Sequence, residues 1–372
     1  MTQPGFGMIG TGFMGRTHAI ALQSVATVFA GIEAPRLVTV VDTNPDSAAK
    51  AARDLRFERN TVDWKELLGD PAIDVIDICT PNYLHYPMSL AALEAGKHVY
   101  CEKPLALSVA EATELAALAR KSGLVHAIGL NYTTNPLVQT AREIISSGEI
   151  GEPVSFTGRY FEDYMASTEV PFTWRCDRSL AGSGALADLG SHLINMLHFL
   201  LGRVRRLCGD CSTVIATRRD ASGSEREVEN EDVSRAMIEL DSGLPATIEI
   251  SRVATGYKCG LQFEVFGTRG SIAFDQERMN ELRVYESGQR PAQAGFKTIL
   301  AGPAHPDFSN FCPAPGHGLG INDLKVIEVR NLLRAIQHGE SFQPDFEEGL
   351  RVQEVMEAIE RSSAERAWVE LA

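Results

Sequence analysis

Phe6-Gly7-Met8-Ile9-Gly10-Thr11-Gly12-Phe13-Met14-Gly15 decides how the rest of the chain is read. An apolar run, a G-x-G-x-x-G and a helical pattern follow one another, the order of a strand, a phosphate-binding turn and a helix. Gly10 permits the tight turn, Gly12 lets backbone approach a pyrophosphate, and Gly15 lets helix and strand pack closely. The helix N-terminus offers free N–H groups and a positive dipole end to the phosphates. Residues 10–15, with Thr11, Phe13 and Met14 between the glycines, are therefore the expected cradle of a dinucleotide.

Outward from that turn, short apolar runs alternate with helical patterns up to about residue 130. The runs are Phe6–Ile9, Leu37–Val41, Val75–Cys79, His98–Cys101 and Val125–Leu130. Continuous hydrophobic strands, each followed by a helix, imply a doubly wound parallel sheet covered on both faces. The second run ends at Asp42, where a carboxylate accepts hydrogen bonds from ribose hydroxyls and repels a 2′-phosphate, which favours NAD over NADP. Asp42 lies beyond the usual spacing of about 20 residues from the glycines, which implies a longer helix or loop within Ser24–Pro35. The alternative is a surface turn aspartate before Thr43-Asn44-Pro45.

Strand ends in such a sheet face the ligand crevice. Thr80 and Asn82, after the third run, are expected to touch the cofactor, and His85 reads as structural or cofactor-flanking. The fourth run ends in Glu102-Lys103-Pro104, which places an amine where substrate and nicotinamide meet. An ammonium there can hydrogen-bond the reacting oxygen and stabilise alkoxide character. Asp188-Leu189-Gly190-Ser191-His192 reads as part of a helix over Ala185–Leu201, and positions i and i+4 share a helix face. A histidine there can take a hydroxyl proton while hydride leaves the same carbon.

After about residue 150 the pattern changes to longer alternating strands, Val154–Tyr160, Val233–Leu240, Ala246–Ile250, Leu261–Phe266 and Ser271–Phe274. Consecutive strands without intervening helices predict a large, open, mostly antiparallel sheet. The fold class is thus α/β plus α+β, with a Rossmann domain over 1–132, on which the C-terminal helices can pack back, and a substrate-binding and oligomerisation domain over 133–372. The segment Arg218–Glu231 reads as an exposed hairpin loop, and two amphipathic helices near Asp323–Gln337 and Gly349–Glu365 close the chain. An uncovered sheet face is expected to present an apolar patch and to pair with another copy, so the protein is read as more than a monomer.

A net charge of −14 argues against nucleic acid and against anionic membranes. No run is long enough to span a membrane and no basic leader precedes the first strand, so a cytoplasmic location is expected. Seven cysteines, an odd number, fit a reducing compartment. The Cys208/Cys211 pair reads as structural thiols, and no metal is called for.

The order of G-x-G-x-x-G, Glu102-Lys103-Pro104, Gly129-Leu130-Asn131-Tyr132, Trp174-Arg175, Gly182-Ser183-Gly184-Ala185-Leu186-Ala187-Asp188 and His192 resembles the Gfo/Idh/MocA oxidoreductase family over nearly the whole chain. His18, Ala314-Pro315-Gly316-His317 and Asn322-Asp323-Leu324-Lys325 look most like its inositol, L-glucose and levoglucosan dehydrogenase branch. The resemblance implies that Lys103, Asp188 and His192 are catalytic, with His192 the base and Asp188 holding a substrate hydroxyl. It also implies that Glu102, Asn131 and Arg175 lie near the nicotinamide, and that the assembly is a homotetramer. Where the family commonly has an aspartate after the histidine, this chain has Asn195. Tyr160, Glu162 and Tyr164 are placed to face a sugar. Arg178 binds hydroxyls or forms a salt bridge, and His317 reaches a neighbouring site or is a solvated turn residue. The expected activity is NAD-dependent oxidation of a secondary hydroxyl on a cyclic polyol or sugar. The alternatives are an NAD-dependent glycoside hydrolase on the same fold and a non-catalytic NAD-binding regulator.

Overall fold

The computed structural model describes residues 3–371, which divide into two compact units. The first is Met1–Asn131 with Gly320–Gln353, and the second is Tyr132–Leu319 with Glu354–Ala372.

In the first unit the chain runs β1 (Gly5–Ile9), α1 (Phe13–Val28), β2 (Arg36–Val41), α2 (Pro45–Asp54), β3 (Arg59–Thr61), β4 (Val75–Ile78), α3 (His85–Glu94), β5 (His98–Cys101), α4 (Val109–Ser122) and β6 (His126–Ile128). The strands pair in parallel in the order β3-β2-β1-β4-β5-β6. All residues of β1 and β4 are buried, as a sheet packed on both faces requires. The order reverses between β1 and β4, and ligands of open parallel sheets bind outside the strand ends at such a point. The Asp42 spacing is explained: α1 runs to Val28 and a loop follows before β2. The edge strand β3 lacks the apolar run that would have revealed it; all three residues retain exposure.

Helix Ile321–His338 packs on α1 and belongs to this unit. Its buried face carries Leu324, Ile327 and Leu332, and also Lys325 and Glu328. Asp323 caps its start by accepting from the Gly320 N–H at 2.8 Å, and Gly339 ends it with φ 70°.

The second unit continues with α5 (Pro136–Ser146), β7 (Pro153–Phe161), α6 (Arg178–Ala181), α7 (Ser191–Leu201) and β8 (Val204–Ser212). A small hairpin, β9 (Thr217–Arg219) and β10 (Glu225–Glu227), precedes β11 (Val233–Leu240), β12 (Pro245–Ser251), β13 (Gly260–Gly267), β14 (Gly270–Asp275), β15 (Glu281–Glu286) and β16 (Lys297–Leu300). After α8 (Phe308–Phe311) and the helix Ile321–His338, here α9, come α10 (Phe346–Glu365) and β17 (Val369–Glu370). Nine strands form one sheet, β16-β15-β14-β13-β7-β12-β11-β8-β17, antiparallel except where β7 meets β12. Glycines admit the covering helices. A Cβ on Gly158 would come within 2.8 Å of Leu193 from α7, and one on Gly209 within 2.9 Å of Ile359 from α10.

One expectation is corrected in this unit and another is refined. The segment Arg218–Glu231 holds the expected hairpin, β9 with β10, exposed over 221–227, but its ends are buried: Arg218 is 2% exposed and donates to the carbonyls of Met165, Ser167 and Val170. The open sheet face is not apolar. It presents Thr157, Arg159, Gln262, Thr247, Glu249 and Arg235, laced by Arg235–Glu249 and Arg159–Gln262 contacts, with Met237 and Leu300 among its exposed apolar side chains. The apolar-patch argument for self-association therefore fails. Cys208 and Cys211 lie three apart on an extended strand, so their side chains point to opposite faces and cannot act as a pair. Among the described residues, no helix is long and apolar enough to cross a membrane.

Beneath the β11 and β12 ends lies a buried ion pair, Arg252 with Asp232 at 2.8 Å, both within 1% of full burial. Removing one partner of such a pair strands a charge, a cost of about 3–5 kcal/mol. Arg252→Leu should lower the urea midpoint accordingly, whereas Arg235→Leu, whose pair with Glu249 is exposed, should shift stability by less than about 1 kcal/mol. Equal losses in the two variants would refute this ranking.

Candidate active site

The first unit supplies a nucleotide cradle. Gly10 has φ +101°, and a Cβ there would lie 2.4 Å from the Cys79 carbonyl oxygen. A Cβ on Gly15 would lie 2.1 Å from the Gly10 oxygen, while Gly12 faces open space. Gly12 caps α1 with no side-chain hydrogen bond, and the first turn has no acidic residue to compete with a phosphate. These residues fit a dinucleotide. Thr11 donates its hydroxyl proton to Asp42, which fixes that carboxylate at the end of β2. Phe13 is 75% exposed beside the turn.

Two residues expected at the cofactor do other work. His85 is 1% exposed, and its ring nitrogens lie 2.6 Å and 2.9 Å from the carbonyl oxygens of Pro104 and Thr80. It ties the loops after β4 and β5 together, which is its structural reading. Glu102 is buried and its carboxylate is committed inward. Oε1 lies 2.9 Å from His18 Nε2 and 3.1 Å from Lys325 Nζ, and Oε2 accepts the Lys103 N–H at 3.2 Å. Lys103 itself is partly exposed at the strand end, before a cis peptide bond to Pro104. Thr80 and Asn82 are also partly exposed at the carboxyl end of β4, and Asn131, after β6, is buried.

Behind Lys103 the cluster extends further. His18 Nδ1 is 2.8 Å from Asp77, Lys325 Nζ is 2.8 Å from Glu328, and the Tyr100 hydroxyl donates to Glu328. His18 stacks on Tyr100 with centroids 4.5 Å apart. Burial alone would lower the His18 pKa, but the Asp77 carboxylate and hydrogen bonds to Asp77 and Glu102 lift it from 6.5 to about 9. Burial would raise Glu102, yet Lys325 and His18 hold it well below the usual carboxylate range. His18, Asp77 and Cys79 bring ligand-type atoms within 4.8 Å of one another. Both imidazole nitrogens face carboxylates and burial keeps the thiol protonated, so the set reads as a charge cluster rather than a metal centre.

The second unit supplies an imidazole and a carboxylate in a phenol-lined setting. Glu231 receives the chain before them: its carbonyl accepts from Ala185 at 3.0 Å and its carboxylate from Leu186 at 2.8 Å. A Cβ on Gly184 would be 2.1 Å from that carbonyl, which explains the glycine of the Gly-Ser-Gly-Ala stretch. The expected single helix is in fact a wide π turn, Leu186–Gly190, leading into α7, and such turns are frequent at functional sites. Asp188 belongs to the turn and His192 to the helix. Tyr164 donates to Asp188 Oδ2 at 2.6 Å. Tyr132 stacks on His192 with centroids 4.4 Å apart, and Tyr160 meets it edge-on at 6.2 Å. The Tyr132 and Tyr160 hydroxyls are 3.1 Å apart, and Tyr160 donates to Glu162 at 2.9 Å.

The structure thus brings Asp188, His192, Tyr160 and Glu162 together. It does not bring in Arg178 or His317. Arg178 is paired with Glu360 at 2.8 Å, the salt-bridge reading, and His317 is exposed in an irregular segment. Arg175 is exposed and lies over the Trp174 ring at 4.5 Å. Sequence reading assigned no role to Tyr132 or Asp77. Asp77, a carboxylate inside the apolar run Val75–Cys79, was the available signal, because a buried charge demands a partner.

Comparison with known proteins places the chain in one oxidoreductase family. The profile of the oxidoreductase family with an NAD-binding Rossmann fold matches residues 5–130, and that of the GFO/IDH/MocA C-terminal domain matches residues 138–273. Levoglucosan dehydrogenase of Pseudarthrobacter phenanthrenivorans is 37% identical over 98% of this chain and 97% of its own. The scyllo-inositol 2-dehydrogenase (NAD+) of Bacillus subtilis is 30% identical over 71% of this chain and 72% of its own. A solved levoglucosan dehydrogenase in complex with NADH and L-sorbose superposes with a TM-score of 0.97 at 37% identity over the full length of both chains.

The His18 proton carries a pH signature. With the pKa raised from 6.5 unfolded to about 9 folded, its stabilisation is complete below pH 6.5 and gone above about pH 9. Between those values unfolding free energy should fall by up to about 1.4 kcal/mol per pH unit. Urea midpoints measured across that window check it; a level midpoint would mean that His18 folds neutral.

Proposed function

The chain belongs to the Gfo/Idh/MocA oxidoreductase family, and from that premise we propose that it oxidises a secondary hydroxyl of a cyclic polyol or pyranose sugar to a ketone. The first unit is an NAD-binding Rossmann domain, and bound NAD supplies the hydride acceptor. The observation that carries the reading is the second unit's His192, stacked on Tyr132 and four residues from a carboxylate that Tyr164 holds.

The roles follow from chemistry. His192 takes the hydroxyl proton on an imidazole nitrogen as the carbon loses hydride. Lys103 donates a hydrogen bond to the oxygen as it passes through alkoxide character to carbonyl. Asp188 accepts from a ring hydroxyl, oriented by the charge-assisted bond from Tyr164. Tyr160 and Glu162 offer further hydroxyl partners, which suits a substrate rich in hydroxyls. Relatives of named activity include a levoglucosan and a scyllo-inositol dehydrogenase, whose named substrates are both cyclic and polyhydroxylated. Asp42, fixed by Thr11, supports NAD over NADP. Seven free cysteines support a cytoplasmic location.

Lys103→Ala and His192→Ala should each bind NADH with little change and lose turnover by about 100-fold or more. The assay is reduction of NAD at alkaline pH over a panel of inositols, pyranoses and anhydrosugars. Full activity in both variants would sink the assignment.

The homotetramer rests on the family resemblance alone. Sedimentation at micromolar concentration should show a species well above 40.5 kDa; a lone 40.5 kDa species would rule the assembly out.

A further inference from the structure

We propose that His18 and Lys325 are positioning residues of the reaction: together they hold the Glu102 carboxylate in the setting from which it fixes the backbone of Lys103. The proposal rests on the reading of Lys103 as the donor to the reacting oxygen.

Three elements converge on one carboxylate. His18 comes from α1, Lys325 from α9, and Glu102 follows β5. Glu102 Oε1 faces both cations, at 2.9 Å and 3.1 Å. Its other oxygen, Oε2, accepts the Lys103 N–H at 3.2 Å. The neighbouring strand end is cut back to make room, for a Cβ on Gly129 would stand 2.5 Å from Glu102 Oε1. His18 and Lys325 are 0% exposed and are themselves held, by Asp77 at 2.8 Å and Glu328 at 2.8 Å.

Stability does not explain so many charges. Desolvating ions costs several kcal/mol each, and well-packed apolar side chains usually match or exceed a buried ion cluster in stability. What the cluster supplies is fixed direction. Both cations act on the same oxygen, so the carboxylate cannot rotate without losing two charge-assisted bonds at once. The second oxygen is thereby aimed at the one backbone N–H that sets where the Lys103 side chain begins. A donor displaced by about 1 Å from its reacting oxygen loses on the order of a hundredfold in rate.

The test uses the full-length protein and reads backbone amide exchange beside kinetics. In the wild-type protein the Lys103 amide should exchange as slowly as the strand amides of Tyr100 and Cys101; a rapidly exchanging Lys103 amide overturns the proposal with no variant needed. The double variant Lys325→Met with Glu328→Leu removes one cation and one anion, so the charge balance of the cluster is kept while Glu102 loses a donor. His18→Asn is the second variant, should the first fold poorly. Each should speed Lys103 exchange by about tenfold or more, with the rest of the first unit unchanged. kcat should fall by about tenfold or more while KM and the NADH Kd stay near wild type. Acceleration spread evenly over the unit, with kcat intact, would show a structural role only and overturn the proposal. So would faster exchange at Lys103 with wild-type kcat. Lys103→Ala separates the premise from the proposal: full turnover there removes the role of Lys103, whatever the exchange data show about the clamp.

Discussion

An ion taken out of water must be answered by an ion, and both units are arranged around that demand. In the first, Asp77, Glu102 and Glu328 are answered by His18 and Lys325 with almost no exposed surface among them. In the second, Asp232 is answered by Arg252, whose guanidinium also reaches Asn230 and the Arg175 carbonyl. Neither cluster is itself offered as chemistry. Each lies directly behind a segment that carries it: Glu102 behind Lys103, and the 230–232 strand start behind the turn that leads to Asp188 and His192. Single apolar contacts are non-directional, whereas charge-assisted hydrogen bonds fix angle as well as distance.

Much of this was readable in the residues. The glycine turn, the parallel sheet it implies, Asp42 and the strand-end Lys103 follow from local rules, because a phosphate turn needs no distant partner to be recognised. The second sheet was readable from period-2 alternation in β7, β11, β12 and β13. What escaped depends on distant pairing. The strand β3 is three residues of exposed edge, and β17 is two. Arg218 looks like a solvated arginine in a polar stretch until three carbonyls from residues about fifty positions away close on it. Lys325 sits in a helix that reads as amphipathic, and only Glu102, 223 positions earlier, makes its burial intelligible.

The site shows the same division. Asp188 and His192 were paired by helix spacing, which held although the backbone between them widens into a π turn. Their aromatic neighbours were harder to assign. Tyr132 lies 60 positions before His192, and no local pattern joins a phenol to an imidazole stacked on it. The inward contacts of His85 and Glu102 escaped for a common reason. His85 opens α3 and Glu102 follows β5, but both side chains turn inward to satisfy buried partners, and position alone does not reveal which way a side chain turns.

Gly129 gives the buried cluster a historical dimension. Because a methyl there would strike the Glu102 carboxylate, and because Glu102 tolerates burial only with His18 and Lys325 beside it, these four positions cannot drift independently. A substitution at one becomes permissible only after another has changed, so descendants of this chain should keep or exchange the four as a block. Such epistasis would make the quartet a marker of ancestry even where the substrate has diverged.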